Sequence, residues 1–177
     1  MSTKKIIVAL DTKNLKNALK LVSTIKNEVY AFKIGYEFFL NFGIEGYKKI
    51  FKICPNIFLD LKLHDIPNTV ENGMKAIMKL KPLLTTIHIT GGDKMMRASL
   101  VKNKKTKIIG VSVLTSLNKQ QTKKYFNESN ISKLVRKFAG EAKKSNLDGI
   151  VCSPKEINYV RKIIGKNILI ITPGVRL

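Results

Sequence analysis

Charged residues of both signs interrupt one apolar stretch of the sequence, IFLDLKLHDIPNTV at residues 57–70. Alternate side chains of an extended chain point the same way, so Asp60 and Lys62 share one face, and Asp65 follows just beyond. Carboxylates beside an ammonium group favour its charged form. Such a cation can stabilise negative charge that develops on a bound molecule and then donate a proton to it. The alternative interpretation is an amphipathic antiparallel strand whose charges lie in water.

Polar residues stand at the ends of several other apolar runs. Asp11 directly follows one run, although an Asp in this position is also a common helix cap. The remaining residues of this type are Lys33, Thr115 and Arg176. If the runs are neighbouring parallel strands, their carboxyl ends form one rim, and these side chains form a polar cluster that stability alone does not require.

The sequence alternates short β-branched runs with stretches of helical spacing. The predicted strands are residues 6–10, 29–34, 57–62, 85–89, 108–113, 148–152 and 168–172. Apolar residues recur at three and four positions in the segments at 15–25 and 130–144, which indicates helices. Two further helix starts are marked by SPKE at 153–156 and by Pro67. This β-α repetition predicts a parallel sheet covered by helices.

A parallel sheet of this type changes the interpretation of the charged run at 57–62. Its strands are covered by helices on one face and by barrel interior or further helices on the other, so neither face lies in plain solvent. We therefore expect Asp60 and Lys62 to be half buried, where charges are tolerated when they are paired. They fall at the carboxyl end of their strand, where the functional sites of such folds gather.

The composition is that of a soluble globular protein with a large excess of lysine. Of 177 residues, 44% are hydrophobic and 25% are charged, and the formal net charge is +21. A positive field of this size favours anionic partners. The lysines are spread along every predicted helix and arginines are few, however, whereas proteins that recognise nucleic acid use arginine and clustered basic elements. We expect no specific nucleic-acid partner and only weak, salt-sensitive adhesion to polyanions.

Several classes of protein do not fit the sequence. No run approaches the roughly 18 consecutive apolar residues of a membrane span, and the N-terminal residues have no cleavable signal pattern, so we expect a cytoplasmic protein with no membrane partner. Cys54 and Cys152 show no CxxC spacing and are predicted to be unpaired thiols. With only two histidines, His64 and His88, we expect no metal site.

The stretch at 60–70 resembles the signature of the orotidine 5'-phosphate decarboxylase family. Its D-x-K-x-x-D core alone also resembles related sugar-phosphate enzymes of the same superfamily, such as hexulose-phosphate synthase and keto-gulonate-phosphate decarboxylase. Six further motifs follow the decarboxylase pattern in order and spacing: VALD at 8–11, FKIG at 32–35, HITGGDKMM at 88–96, SVLTS at 112–116, DGIVCSPKE at 148–156 and TPGVR at 172–176. Together they favour the decarboxylase family.

The resemblance implies a fold, a reaction and a set of site residues. The fold would be an α/β barrel of the TIM (β/α)8 type, here a single domain over residues 1–177 with about seven strands. The reaction would be the cofactor-free decarboxylation of orotidine 5'-monophosphate to uridine 5'-monophosphate, the last step of de novo pyrimidine synthesis. The catalytic array would be Lys33, Asp60, Lys62 and Asp65, with Lys62 protonating C6 of the pyrimidine.

Substrate-binding roles follow from the same resemblance. Asp11 and Lys33 would bind the ribose hydroxyls, Thr115 the pyrimidine, and Arg176 would lie near the phosphate. The family forms homodimers with shared active sites, so Asp65 and Thr69 would reach into the site of the neighbouring subunit. Neither a cofactor nor a metal is implied.

The family pattern continues beyond the last motif of this sequence. After TPGVR the family has a further helix, an eighth strand and a late Gly-Arg, and the sequence is therefore expected to lack the last βα unit and part of the phosphate site. Three alternatives to a decarboxylase stay open: a truncated, non-catalytic remnant or partner-dependent binding protein, another sugar-phosphate decarboxylase or synthase of the superfamily, and a basic polyanion-binding protein.

Overall fold

The computed structural model describes residues 4–101 and 105–174, and in them strands and helices alternate. The strands are β1 (Ile7–Ala9), β2 (Ala31–Ile34), β3 (Ile57–Leu63), β4 (Leu84–His88), β5 (Lys107–Val111), β6 (Gly149–Val151) and β7 (Leu169–Ile171). The helices are α1 (Leu15–Ile25), α2 (Tyr36–Ile53), α3 (Pro67–Leu80), α4 (Gly92–Ser99), α5 (Lys119–Phe126), α6 (Ile131–Lys144) and α7 (Ile157–Ile164). All seven predicted strands are confirmed.

The strands form one sheet in chain order, from β1 to β7. Neighbours pair in parallel, as the β1–β2, β2–β3, β5–β6 and β6–β7 registers record. Within the described residues β1 and β7 are the end strands, each with one neighbour in this order. The predicted α/β architecture with a parallel sheet is thus confirmed.

The marked helix starts follow their sequence signals. α3 begins at Pro67, whose fixed φ suits the first helical position. Ser153 and Glu156 form the predicted capping box, with Glu156 accepting the Ser153 N–H at 2.8 Å, and a 3-10 turn then leads into α7. The sequence did not predict that α2 kinks at Gly43, whose φ of 57° is in the left-handed region that glycine tolerates best.

The chain divides into two compact units. The described part of the first comprises residues 4–61, 75–85 and 105–106, and its core includes Phe32, Phe38 and Tyr47, none more than 1% exposed. The second comprises residues 62–74, 86–101 and 107–174, and Met95 and Val135 are fully buried in it. The single barrel domain over residues 1–177 stays a prediction.

Each unit carries part of the array expected from the sequence. The first holds Asp11, which follows β1, Lys33 near the carboxyl end of β2, and Asp60 in the middle of β3. The second holds Lys62, Asp65, Thr69 and Thr115. No helix among the described residues is both long and apolar enough to cross a membrane.

Candidate active site

Lys33 lies between two carboxylates that neighbouring strands supply. Parallel pairing places Lys33 opposite Ala9 of β1 and Phe58 of β3. Its Nζ is 3.2 Å from Oδ1 of Asp11, which follows β1, and 4.0 Å from Oδ2 of Asp60 on β3. The structure therefore brings together three residues that are separated by 22 and 27 positions in the sequence.

The two carboxylates differ in their access to water. The Asp11 side chain is 53% exposed, whereas that of Asp60 is 11% exposed. Water screens and solvates the first, so its attraction to Lys33 contributes little to stability. A buried carboxylate depends on nearby cations and hydrogen bonds. Lys33 is thus held by an exposed carboxylate on one side and supports a buried one on the other.

Gly35 makes room for the Lys33 ammonium group, a role that sequence reasoning missed. A Cβ at position 35 would lie 2.9 Å from Lys33 Nζ and 3.5 Å from Asp11 Oδ1. The first distance is closer than van der Waals contact allows, so any side chain here would displace the ammonium group. The available signal was the glycine that ends the FKIG motif.

Lys62 has an unusual backbone conformation for a residue within a strand. Its φ is +44°, in the left-handed region that a residue other than glycine seldom occupies, at a cost of about 1–3 kcal/mol. Its backbone N–H donates to Oγ1 of Thr86 at 2.9 Å. The regular alternation of faces expected over residues 57–62 therefore does not extend through Lys62, although its predicted half-buried state is confirmed.

Asp65 and Thr69 are both exposed at the junction between β3 and α3. Oδ1 of Asp65 accepts the N–H of Ile66 at 2.7 Å, which fixes the local turn before Pro67. Thr69 is the third residue of α3 and lies in its first turn, where its side chain is open to solvent. Both side chains are accessible to a further molecule.

Thr115 lies in an exposed turn after β5. It lines a cavity of about 390 Å³ together with Ser132, Ser153, Lys155 and Tyr159. Arg176, the expected phosphate contact, lies outside the described residues.

The described residues contain no group of three or more His, Cys, Asp and Glu side chains placed to hold a metal ion. His64 and His88 do approach each other, with ring centroids 5.0 Å apart, and Thr90 Oγ1 is 3.4 Å from His64 Nε2. The sequence did not indicate this contact, because 24 positions separate the two histidines.

A family model decides the assignment of the chain. The model described as "Orotidine 5'-phosphate decarboxylase / HUMPS family" matches residues 4–177. The chain belongs to this family. The resemblance identified from the motifs at 8–11, 60–70 and 172–176 is thereby confirmed.

Named relatives of the family agree with this assignment. The orotidine 5'-phosphate decarboxylase of Wolbachia sp. subsp. Brugia malayi is 44% identical over 97% of this chain and 77% of the relative's length. A crystal structure of the enzyme from Lactobacillus acidophilus is 36% identical, with a TM-score of 0.85 over 98% of this chain and 82% of that one. The Methanocaldococcus jannaschii enzyme, complexed with the inhibitor BMP, is 28% identical with a TM-score of 0.81 over 99% of this chain and 79% of that one.

The similarity to these relatives and solved structures supports both the fold and the enzyme class. The solved decarboxylases confirm the predicted barrel-type α/β fold, with seven strands in the part of the chain that the structure describes. The named relatives are decarboxylases, so the predicted enzyme class, a carboxy-lyase, is confirmed. The chain spans about three quarters of the length of the Wolbachia relative, as its coverage of 77% records.

Proposed function

We propose that this chain decarboxylates orotidine 5'-monophosphate to uridine 5'-monophosphate, the last step of de novo pyrimidine synthesis, in the cytoplasm and without a cofactor or metal. The observation that carries the proposal is the family match over residues 4–177. The cluster of Asp11, Lys33 and Asp60 supports it, because three of the residues that the family resemblance names lie close together.

The chemistry of the reaction explains why a lysine is needed. When the bond between C6 and the carboxylate carbon breaks, carbon dioxide leaves and the electron pair stays on C6. No cofactor accepts this pair, so the site must supply positive charge and then a proton. In the proposal, the Lys62 ammonium group stabilises the developing charge, transfers a proton from Nζ to C6, and regains one from solvent.

The size of this effect can be estimated from Coulomb's law. An ammonium group about 4 Å from a developing unit charge stabilises it by roughly 4 kcal/mol at an effective dielectric constant near 20. That corresponds to nearly a thousandfold in rate. Exclusion of water from the site would increase the contribution further.

The other charged residues act on the substrate and on Lys62. In the proposal Asp60 and Asp65 flank Lys62 and direct its ammonium group, while Asp11 and Lys33 bind the ribose hydroxyls. The exposure of Asp11 supports its role, because a carboxylate at the surface of the site can reach a ligand. Thr115 contacts the pyrimidine and Arg176 the phosphate.

A homodimer with shared active sites completes the proposal, with Asp65 and Thr69 entering the partner's site. Both residues are exposed, and the neighbouring Ile66 is 64% exposed, which supports contact with another chain. The first unit also carries exposed apolar residues on α2: Tyr36 and Leu40, four residues apart, are 52% and 80% exposed, and Ile44, beyond the kink at Gly43, is 49% exposed. Sedimentation velocity tests the dimer: Leu40→Lys should shift it towards monomer, and Leu21→Lys on α1 is the control.

Turnover by the purified chain tests the reaction itself. We would follow the ultraviolet absorbance change when the 177-residue chain is incubated with orotidine 5'-monophosphate. Asp60→Asn should abolish the signal, whereas the matched variant Asp93→Asn, at an exposed carboxylate on α4, should retain it. Absence of turnover from a folded wild-type chain would contradict the proposal for this chain and favour the non-catalytic alternative.

A further inference from the structure

The backbone of Lys62 is bonded in a way that a regular parallel sheet does not provide. In a parallel ladder the N–H of a strand residue donates to a carbonyl of the neighbouring strand. Here the Lys62 N–H donates instead to a side chain, Oγ1 of Thr86 on β4, at 2.9 Å. This bond coincides with the residue whose φ is +44°.

The environment of Thr86 makes its hydroxyl difficult to replace. Thr86 is fully buried, so solvent is not at hand to take its place as the acceptor. A buried N–H without a partner costs as much free energy as a lost hydrogen bond, and a left-handed lysine persists only where its surroundings hold it. The hydroxyl of Thr86 is therefore a contact that can hold the Lys62 backbone in this conformation.

We propose that Thr86 is a positioning residue for Lys62: its hydroxyl holds the Lys62 backbone in the left-handed conformation that directs the ammonium group to the substrate. The inference rests on the proposed function, in which Lys62 protonates C6. A misplacement of about 1 Å in a reacting group can reduce a rate by about a hundredfold. Loss of the Thr86 hydroxyl should therefore reduce the rate of the chemical step without removing the ammonium group.

The preceding residue on β4 provides a matched control. Thr85 is also fully buried, and its hydroxyl also bonds to the backbone of β3, donating to the carbonyl of Leu59 at 3.0 Å. Substitution of either threonine by valine keeps the shape of the side chain and removes one buried hydroxyl. The two variants thus share a structural cost, and only Thr86→Val removes the acceptor for Lys62.

The test compares the kinetics of three variants with wild type. Thr86→Val should lower kcat by about 10- to 100-fold with KM changed by less than about threefold. Thr86→Ser, which retains a hydroxyl, should restore most of kcat, and Thr85→Val should keep a kcat within about threefold of wild type. A kcat of Thr86→Val near that of wild type, or an equal loss in Thr85→Val, would overturn the inference.

Two further measurements keep the inference testable if the first variant does not fold or the wild type does not turn over. Thr86→Cys keeps a side chain of similar size with a weaker acceptor, and its kcat should fall between those of Thr86→Ser and Thr86→Val. If wild type shows no turnover, the proposed function fails for this chain, and amide hydrogen exchange at Lys62 decides instead. The Lys62 amide should lose protection in Thr86→Val and keep it in Thr85→Val; equal protection in both would overturn the inference.

Discussion

The ammonium group of Lys33 lies 3.2 Å from the carboxylate of Asp11, and this pair joins the carboxyl ends of β1 and β2. On the side of β3, the same ammonium group is 4.0 Å from Asp60. Because one carboxylate is open to water and the other is buried, the two partners of Lys33 should respond differently to substitution.

Asp11→Asn should weaken substrate binding more than it changes stability. An exposed ion pair contributes about 0–1 kcal/mol to the free energy of unfolding, so urea denaturation should show a change within that range. The affinity for uridine 5'-monophosphate, measured by calorimetry, should fall because the proposed contact with the ribose is lost. A change in unfolding free energy above that range with unaltered affinity would show that Asp11 acts in folding and not in binding.

Lys62→Ala should abolish turnover and leave the fold intact. The estimated electrostatic contribution alone predicts a loss of about a thousandfold, and loss of the proton donor adds to it. Initial rates from the absorbance assay and far-ultraviolet circular dichroism would be measured together, with Lys137→Ala at an exposed position on α6 as the control. Retention of even a few per cent of activity by Lys62→Ala would remove this lysine from the role of proton donor.

Gly35→Ala should displace the Lys33 ammonium group and raise KM. The added Cβ would stand 2.9 Å from Nζ, so the end of the lysine side chain must shift from its place beside Asp11. Gly140→Ala is the matched control: a Cβ there meets nothing within 4 Å, in the interior of α6. Since alanine favours a helix over glycine by about 1 kcal/mol, the control should unfold at a higher temperature with unchanged KM. An unchanged KM for Gly35→Ala would contradict the proposed contact between Lys33 and the ribose of the substrate.

Cys152 should make the free energy of unfolding depend on pH in the alkaline range. Burial raises the pKa of the Cys152 thiol from 9.0 to about 12, and the charge of Glu156 acts in the same direction. Between these values the folded chain keeps a proton that the unfolded chain releases, so the free energy of unfolding falls as pH rises. The fall is at most about 1.4 kcal/mol per pH unit for this one group.

Urea denaturation between pH 8 and pH 11, in wild type and in Cys152→Ala, measures that contribution. The stability contributed by the thiol should be fully present below pH 9, and the variant should show a shallower dependence above it. If the free energy of unfolding fell equally steeply with pH in the two chains, the pKa of the thiol would not differ between the folded and unfolded states.

The spacing of apolar residues in the sequence predicted the helices and strands well, because the side of each element that is buried in the core must be apolar. The helix expected at 15–25 is α1 residue for residue, and its side facing the core contains Ala18 and Val22. The strand expected at 57–62 runs one residue further, to Leu63. The meeting of Asp11 and Lys33 followed from a general rule, that the carboxyl ends of neighbouring parallel strands lie along one rim.

The details that direct individual side chains were not predictable in the same way. A left-handed lysine inside a strand has no sequence signal, since that conformation is usually marked by glycine or asparagine. Thr86 looks like any β-branched strand residue, and its bond to the Lys62 amide depends on the local register of two strands. Gly35 was visible as part of a motif, but only the folded structure shows that it leaves space for the Lys33 ammonium group.

The end strands β1 and β7 also bear on whether molecules of the protein associate with one another in solution. Each pairs with one neighbour among the described residues, and an unpaired strand edge can act as a template for a strand of another molecule. The net charge of +21 opposes such encounters through repulsion. Added salt shortens the range of this repulsion from about 10 Å at 0.1 M to about 3 Å at 1 M. Light scattering should therefore rise with ionic strength, and dilute buffers should keep the protein dispersed.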